Sequence, residues 1–145
     1  MADPYETKLV NQNFYHSKVD IKGNIVAVLD GMLDHRALHL IKPPSRAFPT
    51  GTIIELIGTD EDEAGPGTTV NTIAYIAFVE LTNGGVLLQG DPVYCHSQLI
   101  GTIAGYDDTH MPNHQNTIVK MKERKSGTQL GLVLRDEIMI QGFKK

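Results

Sequence analysis

Residues 71–95, "NTIAYIAFVELTNGGVLLQGDPVYC", decide the fold class. Residues 71–81 form the longest apolar run in the chain, rich in β-branched and aromatic side chains and apolar on both faces of an extended backbone. Such a strand is central in a sandwich, closed into a barrel, or pressed against another subunit. The Asn83-Gly84-Gly85 cluster then turns the chain into "VLLQ", and Gly90-Asp91-Pro92 turns it again into "VYC". His96-Ser97 is the next expected tip. These are hairpin spacings.

The same pattern extends outward in both directions. "GNIVAVLDG" (residues 23–31) is a β-branched run closed by Asp30-Gly31, and "TIIELIG" (52–58) repeats the form. Downstream come "LIGTIAGYD" (99–107), "NTIVKMK" (116–122), a Lys125-Ser126-Gly127 turn, "TQLGLVL" (128–134) and "EIMIQG" (137–142). Gly101 and Gly105 share one side of an extended chain, and there glycine signals a bend or a close backbone approach. The expectation is an all-β domain, a small barrel or sandwich of roughly nine or ten short strands with little helix. Residues 1–17 are polar and aperiodic and read as a flexible arm, residues 18–143 as one β domain, and Lys144-Lys145 as a frayed end.

A chain of 145 residues is the size of one ordinary domain. A net charge of -4 argues against a general nucleic-acid or anionic-membrane surface. The single cysteine, Cys95, excludes an intrachain disulfide, and "MADPYETKLV" has neither a basic n-region nor an apolar h-region, so a cytoplasmic protein is expected. No apolar run approaches the roughly 20 residues of a membrane-spanning helix. The surplus apolar surface of "TIAYIAFVEL" predicts a homo-oligomer, most simply a dimer.

Spacing separates the candidate metal ligands. The acidic segment "TDEDEAGPGTT" (59–69) fails as a calcium loop, because counting from Asp60 puts Ala64 and Asn71 at ligand positions five and twelve. It reads as a solvated loop, and "KMKERK" (120–125) as a solvated charged run leading into a hairpin tip. His16 and His96 read as surface residues. His35 and His39 would be neighbours on a helix, but Pro43-Pro44 forces an extended chain just after them. As a strand they stand about 13 Å apart at roughly 3.3 Å per residue and cannot share an ion.

"GYDDTHMPNHQN" (105–116) is different, because Pro112 and Asn113 suit the centre of a β-turn that brings His110 and His114 together. Imidazole with carboxylate is a ligand set for zinc, iron or manganese with positions left open. Asp108, His110 and His114 are therefore the candidate metal ligands, with Asp108 and His110 the candidate catalytic pair. Asn113 and Asn116 are candidate ligand contacts. Arg46, in "PPSRAF", is a candidate clamp for a small anion. The same residue types also brace tight loops, so a structural network is the competing account.

"GGVLLQGDPVY" and "IGTIAGYDDTHMPNHQNTIV", with "LDHRALHLIKPPSRAF" upstream, resemble an uncharacterised bacterial family of small β-rich single domains over residues 19–143. The resemblance implies single-domain architecture and no activity. Two functions stand: a small enzyme or metal-dependent binding protein with its site at residues 107–116, or a non-catalytic accessory or oligomerisation module in which that loop is a brace.

Overall fold

The computed structural model describes residues 18–142, and the expectations of an N-terminal arm and a frayed C-terminus lie outside the described residues. Twelve strands follow one another: β1 (Ile21–Val28), β2 (Met32–Leu33), β3 (Leu38–His39), β4 (Ser45–Phe48), β5 (Ile53–Thr59), β6 (Thr69–Val70), β7 (Ile73–Leu81), β8 (Gly85–Leu88), β9 (Pro92–Cys95), β10 (Gln98–Asp107), β11 (Gln115–Lys120) and β12 (Glu137–Ile140). Among the described residues there is no helix, and so none long and apolar enough to cross a membrane.

Seven strands close a mixed barrel in the order β1-β12-β9-β10-β11-β5-β7, with β7 pairing back to β1. Every neighbouring pair is antiparallel except β11 and β5, which run side by side from Gln115 opposite Ile54 to Lys120 opposite Thr59. Their N-terminal ends therefore share one rim of the barrel with the last residue of β10. Two small ribbons, β3-β6 and β4-β8, and the short β2 on the edge of β7 complete the fold.

β1 shows why an isolated amphipathic strand is easy to read: Ile21, Gly23 and Ile25 are buried while Lys22, Asn24 and Val26 face solvent. β7 is buried on both faces for a different reason. Ile76, Ala77, Val79 and Leu81 join the interior cluster with Ile54, Leu56, Tyr106 and Val119. Ile73 and Tyr75 instead meet a second cluster outside the barrel, formed with Leu38, Leu40, Ile57, Val70, Ala104 and Ile118. The β3-β6 ribbon covers that outer face. Most of β7 is thus packed between these two clusters.

Two expectations are corrected. "TQLGLVL" is no strand: it folds as successive turns held by Gly127 N to Tyr75 O (3.0 Å), Leu130 N to Ser126 O (3.0 Å) and Leu132 N to Gly127 O (3.1 Å). Gly127 lies so close to the carbonyls of Ile76 and Leu29 that no side chain fits there. The second concerns Gly101 and Gly105, which do mark close approaches but against different neighbours. A Cβ on Gly101 would meet Val119 and the backbone of Lys120, and one on Gly105 would meet Leu40 in the outer cluster. The register shift between Ile103 and Gly105 interrupts the period-two alternation that would have kept them together.

Candidate functional site

The loop 107–116 sits on the rim where β10 ends and β11 begins, and its two halves behave differently. The lower half is a brace. Asp107, 2% exposed, accepts hydrogen bonds from His39 N (2.9 Å), Thr109 N (2.8 Å) and Asn116 Nδ2 (3.2 Å). Burial alone would raise its carboxyl, but these donors outweigh it and hold the group below the ordinary carboxylate range. Asn116 is fully buried, so it anchors the loop and offers nothing to a ligand at the surface.

The upper half carries the imidazoles. Asn113 N bonds to His110 O at 2.9 Å, and the Met111–Pro112 peptide is cis. That hydrogen bond centres the turn on Met111 and Pro112, one position earlier than the sequence suggests. It still brings the rings of His110 and His114 together, stacked with centroids 5.0 Å apart.

His114 is the better anchored of the two. Its Nε2 lies 3.1 Å from Glu55 Oε1, its Nδ1 lies 2.7 Å from Asn113 Oδ1, and the ring stands edge-on to Phe78 at 4.8 Å. Glu55 is 6% exposed, placed there because β5 and β11 run parallel and set it opposite Asn116. Burial pushes the Glu55 carboxyl above its ordinary value, and the nearby His114, His110 and Arg36 pull it down only in part. Arg36 Nη2 donates to His110 Nε2 at 3.3 Å. A guanidinium only donates, so that nitrogen of His110 presents its lone pair to Arg36.

Asp108 is directed elsewhere. Its Oδ1 accepts from Arg46 Nη1 (3.2 Å) and Gln115 Nε2 (2.9 Å). Arg46, Phe48, Ile53, Met111, Asn113 and His114 are among the residues lining a cleft of about 400 Å³ beside the loop. Asp108, His110 and His114 do not form a three-ligand group, and the donor atoms described above are engaged by Arg46, Gln115, Arg36, Glu55 and Asn113. His39 sits in β3 with its Nδ1 3.0 Å from Thr69 Oγ1, and His35 precedes that strand.

Among the described residues the three-ligand group is Cys95, His96 and Asp136, whose ligand atoms lie within 4.8 Å of one another and could hold a metal ion. The β9-β10 turn places His96 and Ser97 at φ 52° and 63°, the left-handed pair a two-residue hairpin requires. Histidine is one of the residue types enriched in that region. His96 was expected to be a plain surface residue; its side chain is exposed, yet Nε2 lies 3.0 Å from Asp136 Oδ1. Asp136 accepts from Val133 N at 3.0 Å, and that bond, ahead of His96, keeps its carboxyl below the ordinary value. Cys95 is buried, and burial followed by the charge of Asp136 pushes its thiol up.

Glu55 left a signal in the sequence, since it is the only charge in "TIIELIG" and an acid inside an apolar strand must find a partner. Arg36 and Asp136 left none, because the histidines they meet, His110 and His96, are distant in the chain.

The chain belongs to DUF6917, a family of unknown function, which matches residues 15–141. The small β-rich single-domain family that the sequence resembles is thereby shown. No curated protein and no solved structure matches the chain.

Proposed function

We propose that this DUF6917 domain binds a small anionic ligand, a carboxylate or phosphate, in the cleft between the β4–β5 connection and the loop 107–116. One observation carries the reading: Arg46 and His114 line the same cleft, and His114 is backed by the buried carboxyl of Glu55. Arg46 supplies a planar fork for an anion in place of the exposed Asp108. Asn113 and Gln115 supply polar groups, while Phe48, Ile53 and Met111 supply the apolar wall usual in ligand clefts.

The chemistry open to such a site is proton transfer. Among the lining residues the hydroxyl is that of Thr52, which donates to Pro49 O at 2.7 Å, and no cysteine, serine or lysine is present. A His–carboxylate pair with a perturbed buried acid is a recurrent feature of acid–base sites. The non-catalytic alternative is favoured only for the base of the loop, where Asp107 and Asn116 form the brace. The divalent metal anticipated at Asp108, His110 and His114 is not part of this reading, because the three do not form a ligand group and both ring nitrogens of His114 are engaged by Glu55 and Asn113.

Titration of labelled protein with inorganic phosphate and with acetate, followed by amide shifts, tests the proposal. Saturable shifts at residues 113–115 that vanish in Arg46→Ala and weaken in His114→Ala are expected. No saturable shift with either anion, or shifts indifferent to both substitutions, would sink it.

A further inference from the structure

We propose that Cys95, His96 and Asp136 form a binding site for one zinc-class divalent cation. The site lies at the end of the barrel away from the loop. β10 starts just after the His96-Ser97 turn and ends at Asp107, so at roughly 3.3 Å per residue the two sites stand about 30 Å apart. The inference is independent of the anion cleft.

Three separate elements bring the donors together. Cys95 is the last residue of β9 and pairs with Ile138 of β12, which sets the residue just before β12 beside it. The left-handed turn turns His96 back toward that same point. Asp136 is held in place by Val133 N and by the bond from Ile25 N to its own carbonyl at 2.9 Å. The three ligand atoms, one sulfur, one nitrogen and one oxygen, are within 4.8 Å of each other. Around a tetrahedral zinc with bonds of about 2.0–2.3 Å, such atoms stand roughly 3.3–3.6 Å apart, so a small contraction seats the ion.

The donor set selects the metal class. Calcium and magnesium take oxygen ligands almost exclusively, whereas a thiolate with an imidazole and a carboxylate suits borderline-soft zinc. Three protein ligands leave a fourth position for water or an incoming ligand. The side chain of His96 is exposed, so the group is open to solvent on that side, and His96 also lines a cleft of about 370 Å³ with Asp20, Lys22, Tyr94 and Glu137.

Binding requires the Cys95 S–H bond to break: sulfur keeps the electron pair and donates it to the ion, and the proton passes to solvent. A free thiol is mostly protonated near neutral pH, and the thiolate is the form that ligates a metal. One proton released per ion near neutral pH is the thermodynamic signature.

The test is titration of chelator-treated, untagged full chain with zinc and with cobalt. One ion per chain, one proton released, a thiolate-to-cobalt charge-transfer band and a metal-dependent rise in Tm are expected. The band should disappear in Cys95→Ser. Because Cys95 is buried and its replacement could disturb folding, His96→Asn and Asp136→Asn provide the second arm, with asparagine keeping the left-handed turn. Each should weaken zinc by more than the roughly 10–100-fold that loss of an outer partner costs. His110→Ala and His114→Ala should bind as the parent does. Absence of the cobalt band in the parent, zinc affinity unchanged in His96→Asn and Asp136→Asn, or binding that disappears with the loop histidines would each overturn the proposal.

Discussion

His114 Nε2 lies 3.1 Å from Glu55 Oε1, and the two side chains keep only 12% and 7% of their surface in contact with solvent. The imidazole is one of the groups that pull the buried carboxyl down. In His114→Ala the Glu55 carboxyl should therefore titrate higher than in the parent. The variant should also lose about 1–3 kcal/mol of stability, because a buried acid loses its hydrogen-bond partner. Carbon NMR of the labelled Glu55 carboxyl across a pH series checks the direction. A downward shift would mean that His114 does not stabilise the carboxylate.

The pH dependence of folding follows from the same pair. A carboxyl raised by folding binds more protons in the native than in the unfolded state, between its ordinary value near 4.5 and its native one. Stability then falls as pH rises through that window. The Glu55 contribution is fully present below the ordinary value and lost as pH passes the raised one. Urea unfolding of Glu55→Gln beside the parent should show the parent losing ground to the variant as pH climbs toward neutrality. A constant difference would contradict a raised carboxyl.

Asp107 should behave in the opposite sense. Its carboxyl is held below the ordinary 3.8, so its stabilising contribution is present above that value and lost as pH falls through the depressed one. Asp107→Ala strands the backbone N–H groups of His39 and Thr109, and a loss of about 2–4 kcal/mol is expected from breaking a buried charged network. Calorimetry of Asp107→Ala at neutral pH measures it. A change in Tm of less than a degree would show that the loop does not depend on this brace.

The proximity of His110 and His114 was legible because a proline turn acts over a few residues. Glu55 and His114 are 59 positions apart, and no local pattern pairs them. The same limit explains the fold: the long strands could be read from apolar runs and turn residues, but closure through Gly23 opposite Leu81 depends on long-range pairing. β3 and β6, each two residues long, have no periodicity to detect. Residues 128–134 misled because Leu130 and Leu132 pack against the interior while the backbone turns, so apolar content alone imitated a strand.

Glycine substitutions separate tight backbone contacts from adjustable ones. A Cβ on Gly127 would collide with the carbonyl oxygens of Ile76 and Leu29, which accept from Leu29 N and Thr128 N and cannot retreat without breaking those bonds. A Cβ on Gly58 would meet chiefly the flexible end of Met121. Gly127→Ala should cost about 3 kcal/mol or more, and Gly58→Ala about 1 kcal/mol as Met121 repacks. Chemical denaturation of the two variants, with equal losses as the adverse result, tests that ordering.

The β9-β10 hairpin offers the last test, because both of its central residues adopt a conformation that favours glycine. Ser97, at φ 63°, should be improved by Ser97→Gly, which relieves a left-handed strain of about 1 kcal/mol. His96→Gly relieves the same strain at φ 52° but gives up the 3.0 Å contact with Asp136. In metal-free protein its gain should therefore be smaller than that of Ser97→Gly. The difference in Tm between the two variants measures what the ring contributes. If His96→Gly were the more stable of the two, the imidazole would be strained into place without return from Asp136, and its position would have to be explained by something other than stability of the free chain. If Ser97→Gly were no more stable than the parent, the turn would not be the strained left-handed pair that sets His96 beside Cys95 and Asp136.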